Sequence, residues 1–412
     1  MAREPTARQE WAAMWPLPLV SMLGYVGGAS FVYSSGVFME ELTGEFGWSR
    51  AQFSTAFTIH SMVGLAMAPV IGRLVDTIGP RRMALIGIVP FMIGLSLLGL
   101  AQGPIWQWWL IAFVQALFAS LIGGAVWMKA VITRFTAARG LALATVLAGS
   151  GVATTLWPNL AAYFIAQFGW RLSYAAMAVS WGLLMLPLAW LFFIDDRTGE
   201  RQGRPARPTK PLSQLTGVFL SRTFISLALA GAIFSALTLG LLLHLVPIFR
   251  DNGIGLQAAA GIAGLAGVFA IVGRLSTGLL LDLLPTRPLA IGIFLLPLLI
   301  SAILWNFDGS LYLAAAAVIV LGFVAGADGD IVAYLISRTF DEDVFATVYS
   351  VMIAILSISS SFGPIIAGAC YDQWGSYRPY FVAMIPMVLV AATLIGTMPI
   401  AGRRAMREEK ES

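Results

Sequence analysis

Apolar and polar positions fall in long blocks along this chain. Twelve apolar runs centre on about 16–38, 52–73, 83–102, 107–131, 141–167, 174–194, 223–249, 257–281, 287–306, 311–336, 345–369 and 378–400. Each is long enough for a helix to cross about 30 Å of hydrocarbon. The turns between them are short, with one exception. Asp195 to Ser221 holds Arg197, Arg201, Arg204, Arg207 and Lys210 with three prolines. The pattern predicts an all-α membrane protein of twelve transmembrane helices. An N-terminal six-helix bundle over 1–194 and a C-terminal one over 222–412 flank a linker at 195–221.

The two bundles are expected to be pseudo-symmetric. Gly72, Asp76 and Arg81 lie in the turn between the second and third runs, and Gly278, Asp282 and Arg287 repeat them 206 positions later, half the chain length of 412. The same offset carries Pro158 to Pro364, Gln167 and Gly169 to Gln373 and Gly375, and Tyr174 to Tyr380. Two similar halves of six helices form the parallel-repeat plan of one large class of transporters.

Charge sets the orientation. If the N-terminus is cytoplasmic, nineteen Lys and Arg residues collect inside, against Arg50, Arg171, Arg250 and Arg378 outside. That asymmetry places both termini in the cytoplasm, in a bacterial-type inner membrane. Lys129 and Arg274 remain within apolar runs. Trp106, Trp108 and Trp109 fit an outer interfacial belt, and Trp11 and Trp15 an inner one.

Composition agrees with a membrane protein. The chain is 58% hydrophobic and 11% charged, whereas soluble domains carry about 25% charged residues. The net charge of +4 follows from topology and implies no nucleic-acid partner. One cysteine, Cys370, allows no disulfide within the chain. No phosphate-binding loop or metal-ligand cluster is legible, so neither an enzyme nor a cofactor is expected.

Twelve runs in two repeats, a basic central segment and the turn Gly72 to Arg82 together resemble the major facilitator superfamily. A narrower likeness is to the monocarboxylate transporters and the oxalate–formate antiporter group. It is carried by Phe46-Gly47-Trp48-Ser49-Arg50, by Arg139-Gly140-Leu141-Ala142, and by Phe168-Gly169-Trp170-Arg171 with Tyr174. In that group a lone arginine of the eighth helix binds the carboxylate, and Arg274 stands in that place. Two departures matter. The acid that animal carriers place one turn before the arginine is Ala270 here, and the eleventh run lacks the lysine of the oxalate carriers.

Ionisable groups within a membrane cost roughly 2.5–3.5 kcal/mol each on insertion scales, which makes them functional candidates. Arg274 offers a planar fork that matches a carboxylate. Asp328 and Asp330 in the tenth run are candidates for proton coupling, and Asp328 reaches a depth from which it could pair with Arg274. Two residues apart on a helix, both acids cannot face one partner. Histidine as a residue type ordinarily titrates near neutral pH, and His60 lies mid-run. Tyr25, Tyr33, Asn159, Tyr334 and Tyr349 stand on runs that line the pathway in relatives, so with His60 and Arg274 they form the candidate substrate set. Asp76 with Arg81, and Asp282 with Arg287, are expected to latch helices at the cytoplasmic face as gating pairs. Lys129, within a turn or two of Arg134, is expected to snorkel to the cytoplasm.

The expectation is a secondary transporter for a small organic anion, foremost a monocarboxylate, with a proton where transport is coupled. Two bundles would rock about a central site in the lipid bilayer, each chain acting as a functional monomer. A dicarboxylate exchanger, a hydrophobic-compound efflux carrier of the same fold and a non-transporting membrane sensor remain alternatives.

Overall fold

The computed structural model describes residues 6–194, 216–340 and 342–398, so most of the linker and both chain ends lie outside the described residues. No strand is present among those described. A short amphipathic helix, α1 (Ala7–Met14), leads into α2 (Pro16–Gly28) and α3 (Ser30–Phe46), which form the first apolar run. Then come α4 (Arg50–Ile78), α5 (Pro80–Leu97), α6 (Ile105–Ser120), α7 (Gly124–Arg134), α8 (Arg139–Leu147) and α9 (Gly149–Phe192). The second half contains α10 (Thr216–Phe219), α11 (Arg222–Asp251), α12 (Leu256–Leu283), α13 (Thr286–Trp305), α14 (Leu311–Thr339), α15 (Glu342–Trp374) and α16 (Arg378–Thr397). Among the described residues, 11 helical segments are long and apolar enough to cross a membrane.

The sequence pattern expects twelve runs. The difference lies at Gly169, where the 54-residue segment Arg139–Phe192 leaves helical geometry at φ 72°, ψ 165°. Trp157 Nε1 donates to Val26 O at 2.7 Å and Trp181 Nε1 to Leu23 O at 3.1 Å. Those carbonyls are three residues apart on α2, whereas a straight helix would separate positions 157 and 181 by about 36 Å. The chain therefore folds back at Gly169, a reversal that a residue with a Cβ resists.

The stretch Gly72 to Arg82 is less of a turn than its glycines imply. α4 stays helical through Ile78, and the whole reversal is made by Gly79 at φ 89°, with Pro80 opening α5. Proline at the first helical position loses no hydrogen bond, because that N–H has no partner within a helix. On the other side, Gly47 closes α3 in the left-handed region. Ser49 and Gln52 then form a reciprocal capping box at the start of α4.

The chain forms two compact units. One takes in the first half together with Leu243–Gly267, and the other holds the rest of the second half. In the first unit, α2 presents glycines to large rings: a Cβ on Gly24 would stand 2.3 Å from Trp127, and one on Gly27 2.1 Å from Trp181. In the second, Phe234, Phe294, Val324, Ile331, Val348 and Met352 centre a buried cluster drawn from α11, α13, α14 and α15.

The internal repeat reaches down to single turns. Left-handed glycines Gly47, Gly103 and Gly169 recur as Gly253, Gly309 and Gly375, each 206 positions on. Arg81 donates to Trp190 O at 2.7 Å and Arg287 to Met398 O at 2.6 Å. Each arginine thus meets an unpaired carbonyl at the end of its half's last described helix, where positive charge is favoured.

α12 and α14 meet backbone to backbone within the second unit. A Cβ on Gly326 would lie 2.0 Å from Ala270 O, and one on Gly273 would lie 2.3 Å from Phe323 O. Without a hydrophobic force between helices in lipid, such close approach is what holds them. At Gly329, one turn on, an added Cβ meets nothing within 4 Å.

α1 docks through one carboxylate. Glu10 accepts from Thr136 Oγ1 at 2.7 Å and from the N–H groups of Thr136, Ala137 and Ala138 at 3.0, 3.0 and 2.9 Å. Trp11 packs edge-on against Phe135 beside it. Burial pulls the Glu10 carboxyl upward, but the Thr136 hydroxyl and the three amides outweigh it and lower its pKa from the ordinary 4.5 to about 2.

Two outcomes are expected. Gly326→Ala should lower the melting temperature in detergent by the equivalent of roughly 1–3 kcal/mol, while Gly329→Ala on the same helix should be nearly neutral or stabilising. The folded-state pKa of Glu10 lies below its unfolded value. Its contribution is therefore complete above about 4.5 and is lost as pH falls toward about 2. Hydrogen exchange at Thr136 to Ala138 should show protection fading over that interval, and in Glu10→Gln the same amides should be unprotected already at pH 7.

Candidate functional site

The crossing of α12 and α14 sets charge beside charge. Arg274 follows Gly273 at the contact, and Asp330 stands one turn beyond Gly326. Arg274 Nε lies 3.6 Å from Asp330 Oδ2. That is an ion pair but too long for a hydrogen bond, and Arg274 Nε has no hydrogen-bond partner among the described residues. The two side chains are 41% and 37% exposed, while Nε itself is buried. Ala270, where relatives of the resembled group carry an acid, touches Gly326 instead. The counter-charge comes from the neighbouring helix.

Asp328 does not pair with Arg274, although its depth suggested that it could. Two residues from Asp330, it points to α11 and accepts from Ser235 Oγ at 2.8 Å. Its Oδ1 is buried without a hydrogen-bond partner among the described residues. Tyr349, on α15, lies within electrostatic reach of both Asp330 and Arg274 and stacks on Phe345. Tyr334 is occupied elsewhere: its hydroxyl accepts from Arg338 at 2.9 Å and donates to Leu281 O at 3.4 Å.

A second polar locus lies within the first unit. A cavity of about 310 Å³ is lined by Tyr25 and Gly28 of α2, His60 and Gly64 of α4, and the residues joining α6 to α7. His60 packs its ring 5.1 Å from Phe31, and its Nε2 is buried with no hydrogen-bond partner among the described residues. An unmet buried polar atom costs about 1–3 kcal/mol, so its persistence needs a reason. Tyr33 is half-buried on α3 and is not among the residues lining this cavity. Asn159 donates to Thr155 O at 2.7 Å and packs against Gly264, which makes it a contact between helices.

The expected gating pairs are not formed as pairs. Asp76 bonds Lys129 at 3.1 Å, which also gives Lys129 a partner on the end of α4. Arg81 and Arg287 reach helix-end carbonyls instead, and Asp282 is exposed. The acids sit on the last turn of their helices while the arginines point to a different helix. Trp108 also departs from the interfacial belt, since it is fully buried and donates to Phe53 O at 3.3 Å.

Sequence reasoning did not find the ion pairs at the opposite end of the first unit. Arg50 grips Asp251 through two 2.7 Å bonds, and Arg250 bonds Glu40. Glu45 accepts from Arg171 and Trp170, each at 2.6 Å. Ser54 Oγ lies 3.4 Å from His244 Nε2 in the buried interior. The motifs that end in Arg50 and Arg171 flagged one partner in two of these pairs, while the acids Asp251 and Glu45 lie on the last turns of α11 and α3 outside any motif.

The gallate transporter of Pseudomonas putida is 26% identical over 400 residues, covering 87% of this chain and 86% of that protein. Monocarboxylate transporter 13 of Rattus norvegicus is 24% identical over 384 residues, covering 89% and 84%. The solved structure of the nucleoside transporter NupG matches with a TM-score of 0.77 at 12% identity, covering 93% of this chain and 98% of that one. A bacterial homolog to the human lysosomal transporter Spinster matches at 0.69 and 17%, covering 96% and 97%. At such identities the structural likeness speaks for the fold alone. Residues 21–364 match the family model of the Major Facilitator Superfamily, and with membrane-length helices in two repeats the chain belongs to that superfamily.

Proposed function

We propose that this chain is a secondary transporter that carries a small organic anion, foremost a monocarboxylate, by exposing one site alternately to the two sides of an inner membrane. The observation that carries the reading is Arg274: a guanidinium within a membrane-length helix, held by a 3.6 Å ion pair, its Nε without a hydrogen-bond partner among the described residues. A structural arginine would be expected to spend its donors. This one retains the planar fork that a carboxylate fits. Relatives named for gallate and for monocarboxylates support the same chemistry.

The reversal at Gly169 supports a count of twelve crossings, and the distribution of arginine and lysine supports cytoplasmic termini. Coupling follows from the pair. A carboxylate that takes the Arg274 fork leaves Asp330 without its counter-charge, and a proton then neutralises it. The loaded site carries no more net charge than the empty one, so its reorientation in an apolar surround is not penalised. Asp328, with one oxygen unmet, is a second proton site, and Tyr349 can donate to the bound carboxylate. Arg81 and Arg287 hold helix ends at the cytoplasmic face, where a carrier must open. A single chain contains all of these parts.

The test is uptake of labelled lactate and labelled benzoate into proteoliposomes, with and without an inward proton gradient. Wild type should show gradient-stimulated uptake of at least one acid. Removing one partner of a charged contact costs about 2–5 kcal/mol, so Arg274→Gln should lower uptake at least about thirtyfold. Asp330→Asn should retain exchange of acid for acid and lose the stimulation by the gradient. Full transport by Arg274→Lys would count against the bidentate role. A double-mutant cycle on Arg274 and Asp330 should show a coupling in thermal stability below about 1 kcal/mol, since partly exposed pairs contribute little to folding.

A further inference from the structure

A carboxylate on Arg274 accounts for one end of a substrate only. The surroundings of the Arg274–Asp330 pair within its own unit bear on the other end. Arg274, Asp330, Tyr349 and Phe345 all belong to the second unit. Phe345 and Tyr349 are four residues apart on α15, so they stand on one face of that helix. Their rings are parallel to within 6°, with centroids 5.8 Å apart. Both pack against the buried cluster of this unit and both remain partly exposed. The core thus braces a pair of stacked rings that it does not cover. The Tyr349 end of the stack lies within electrostatic reach of Arg274 and Asp330.

The wall beside the pair is closed at one turn and open at the next. A Cβ on Gly326 would press on Ala270 O at 2.0 Å, whereas one on Gly329, the residue before Asp330, would meet nothing within 4 Å. Space next to the ion pair is therefore bounded by a glycine and not by a side chain. Small-molecule sites combine an apolar or aromatic wall with a few polar groups that fix orientation, and the ring stack and the ion pair are those two parts. A flat ring laid parallel to stacked rings extends them in the offset geometry that π systems favour. A puckered ring of the same carbon count touches such a surface at fewer points.

On the reading of the chain as an organic-acid carrier, we infer that the Phe345–Tyr349 stack receives the organic part of the substrate and selects a flat ring over a puckered one, with Gly329 keeping the space that the ring needs. The substrate class is then an aromatic monocarboxylate, its carboxylate toward Arg274.

The experiment is proteoliposome uptake of labelled benzoate, cyclohexanecarboxylate and acetate, after subtraction of uptake into protein-free liposomes. Wild type is compared with Tyr349→Leu, Tyr349→Phe, Phe345→Leu and Gly329→Leu. The two ring acids share a carboxylate and a carbon count and differ in flatness. Wild type should take benzoate with a KM roughly fivefold below that for cyclohexanecarboxylate, the worth of one aromatic stacking contact. Tyr349→Leu should bring the two values within about twofold, and Phe345→Leu should narrow the gap less. Tyr349→Phe keeps the ring and should retain the preference. Gly329→Leu should lower uptake of both ring acids relative to acetate about tenfold. Ratios within one variant are insensitive to how much protein folds. A wild type that carries these acids without preferring benzoate overturns the ring stack as the selecting surface and leaves the carrier reading standing. So does a preference that Tyr349→Leu retains or that Tyr349→Phe loses, and so does a Gly329→Leu ratio equal to that of wild type. Folded wild-type protein that carries none of the three acids overturns the carrier reading and the ring site with it.

Discussion

A charge placed among apolar helices must be met by an opposite charge or by a polar end of the backbone, and the described structure is arranged around that requirement. Lys129 is met by Asp76, Arg50 by Asp251, and Arg171 by Glu45, in each case at hydrogen-bond distance. Arg81 and Arg287 are met by helix-end carbonyls. Arg274 is the instructive case, because its partner stands at 3.6 Å and its Nε has no hydrogen-bond partner among the described residues. Lys129, Arg50, Arg171, Arg81 and Arg287 are all held at hydrogen-bond distance, and Arg274 is held more loosely.

That place exists because two helices touch without side chains between them. Gly326 against Ala270 and Gly273 against Phe323 fix the register of α12 on α14. Register then decides which of two aspartates faces the arginine and which faces Ser235 of α11. The same packing turns one local pair of acids into two different environments, one beside a cation and one beside a hydroxyl.

Much of the architecture was legible because its causes are local. Period and length of the apolar runs reflect the thickness of hydrocarbon, and a spacing of 206 residues reflects a duplicated unit. The repeat extended further than the sequence matches indicated, since the paired glycines Gly47 and Gly253, and Gly103 and Gly309, are recognisable only once their left-handed backbone is seen. The gating pairs were misjudged for a related reason. Asp76 and Arg81 are close in sequence, yet Gly79 lies between them and sends the acid and the base to different neighbours.

By itself the sequence determined which segments are membrane-length helices, how the halves repeat, and that Arg274, Asp328, Asp330 and His60 are the polar groups an apolar surround would not tolerate without cause. Those follow from composition and spacing, which act residue by residue along one chain. Only the tertiary structure decided that Asp330 rather than Asp328 meets Arg274, that the Tyr334 hydroxyl reaches α12 while Asn159 bonds its own helix, and that His60 lines a cavity. Such outcomes depend on the rotation and register of packed helices, and a one-residue change of register swings a side chain by about 100°. No pattern within a single helix encodes that angle, because the shape of its neighbour sets it.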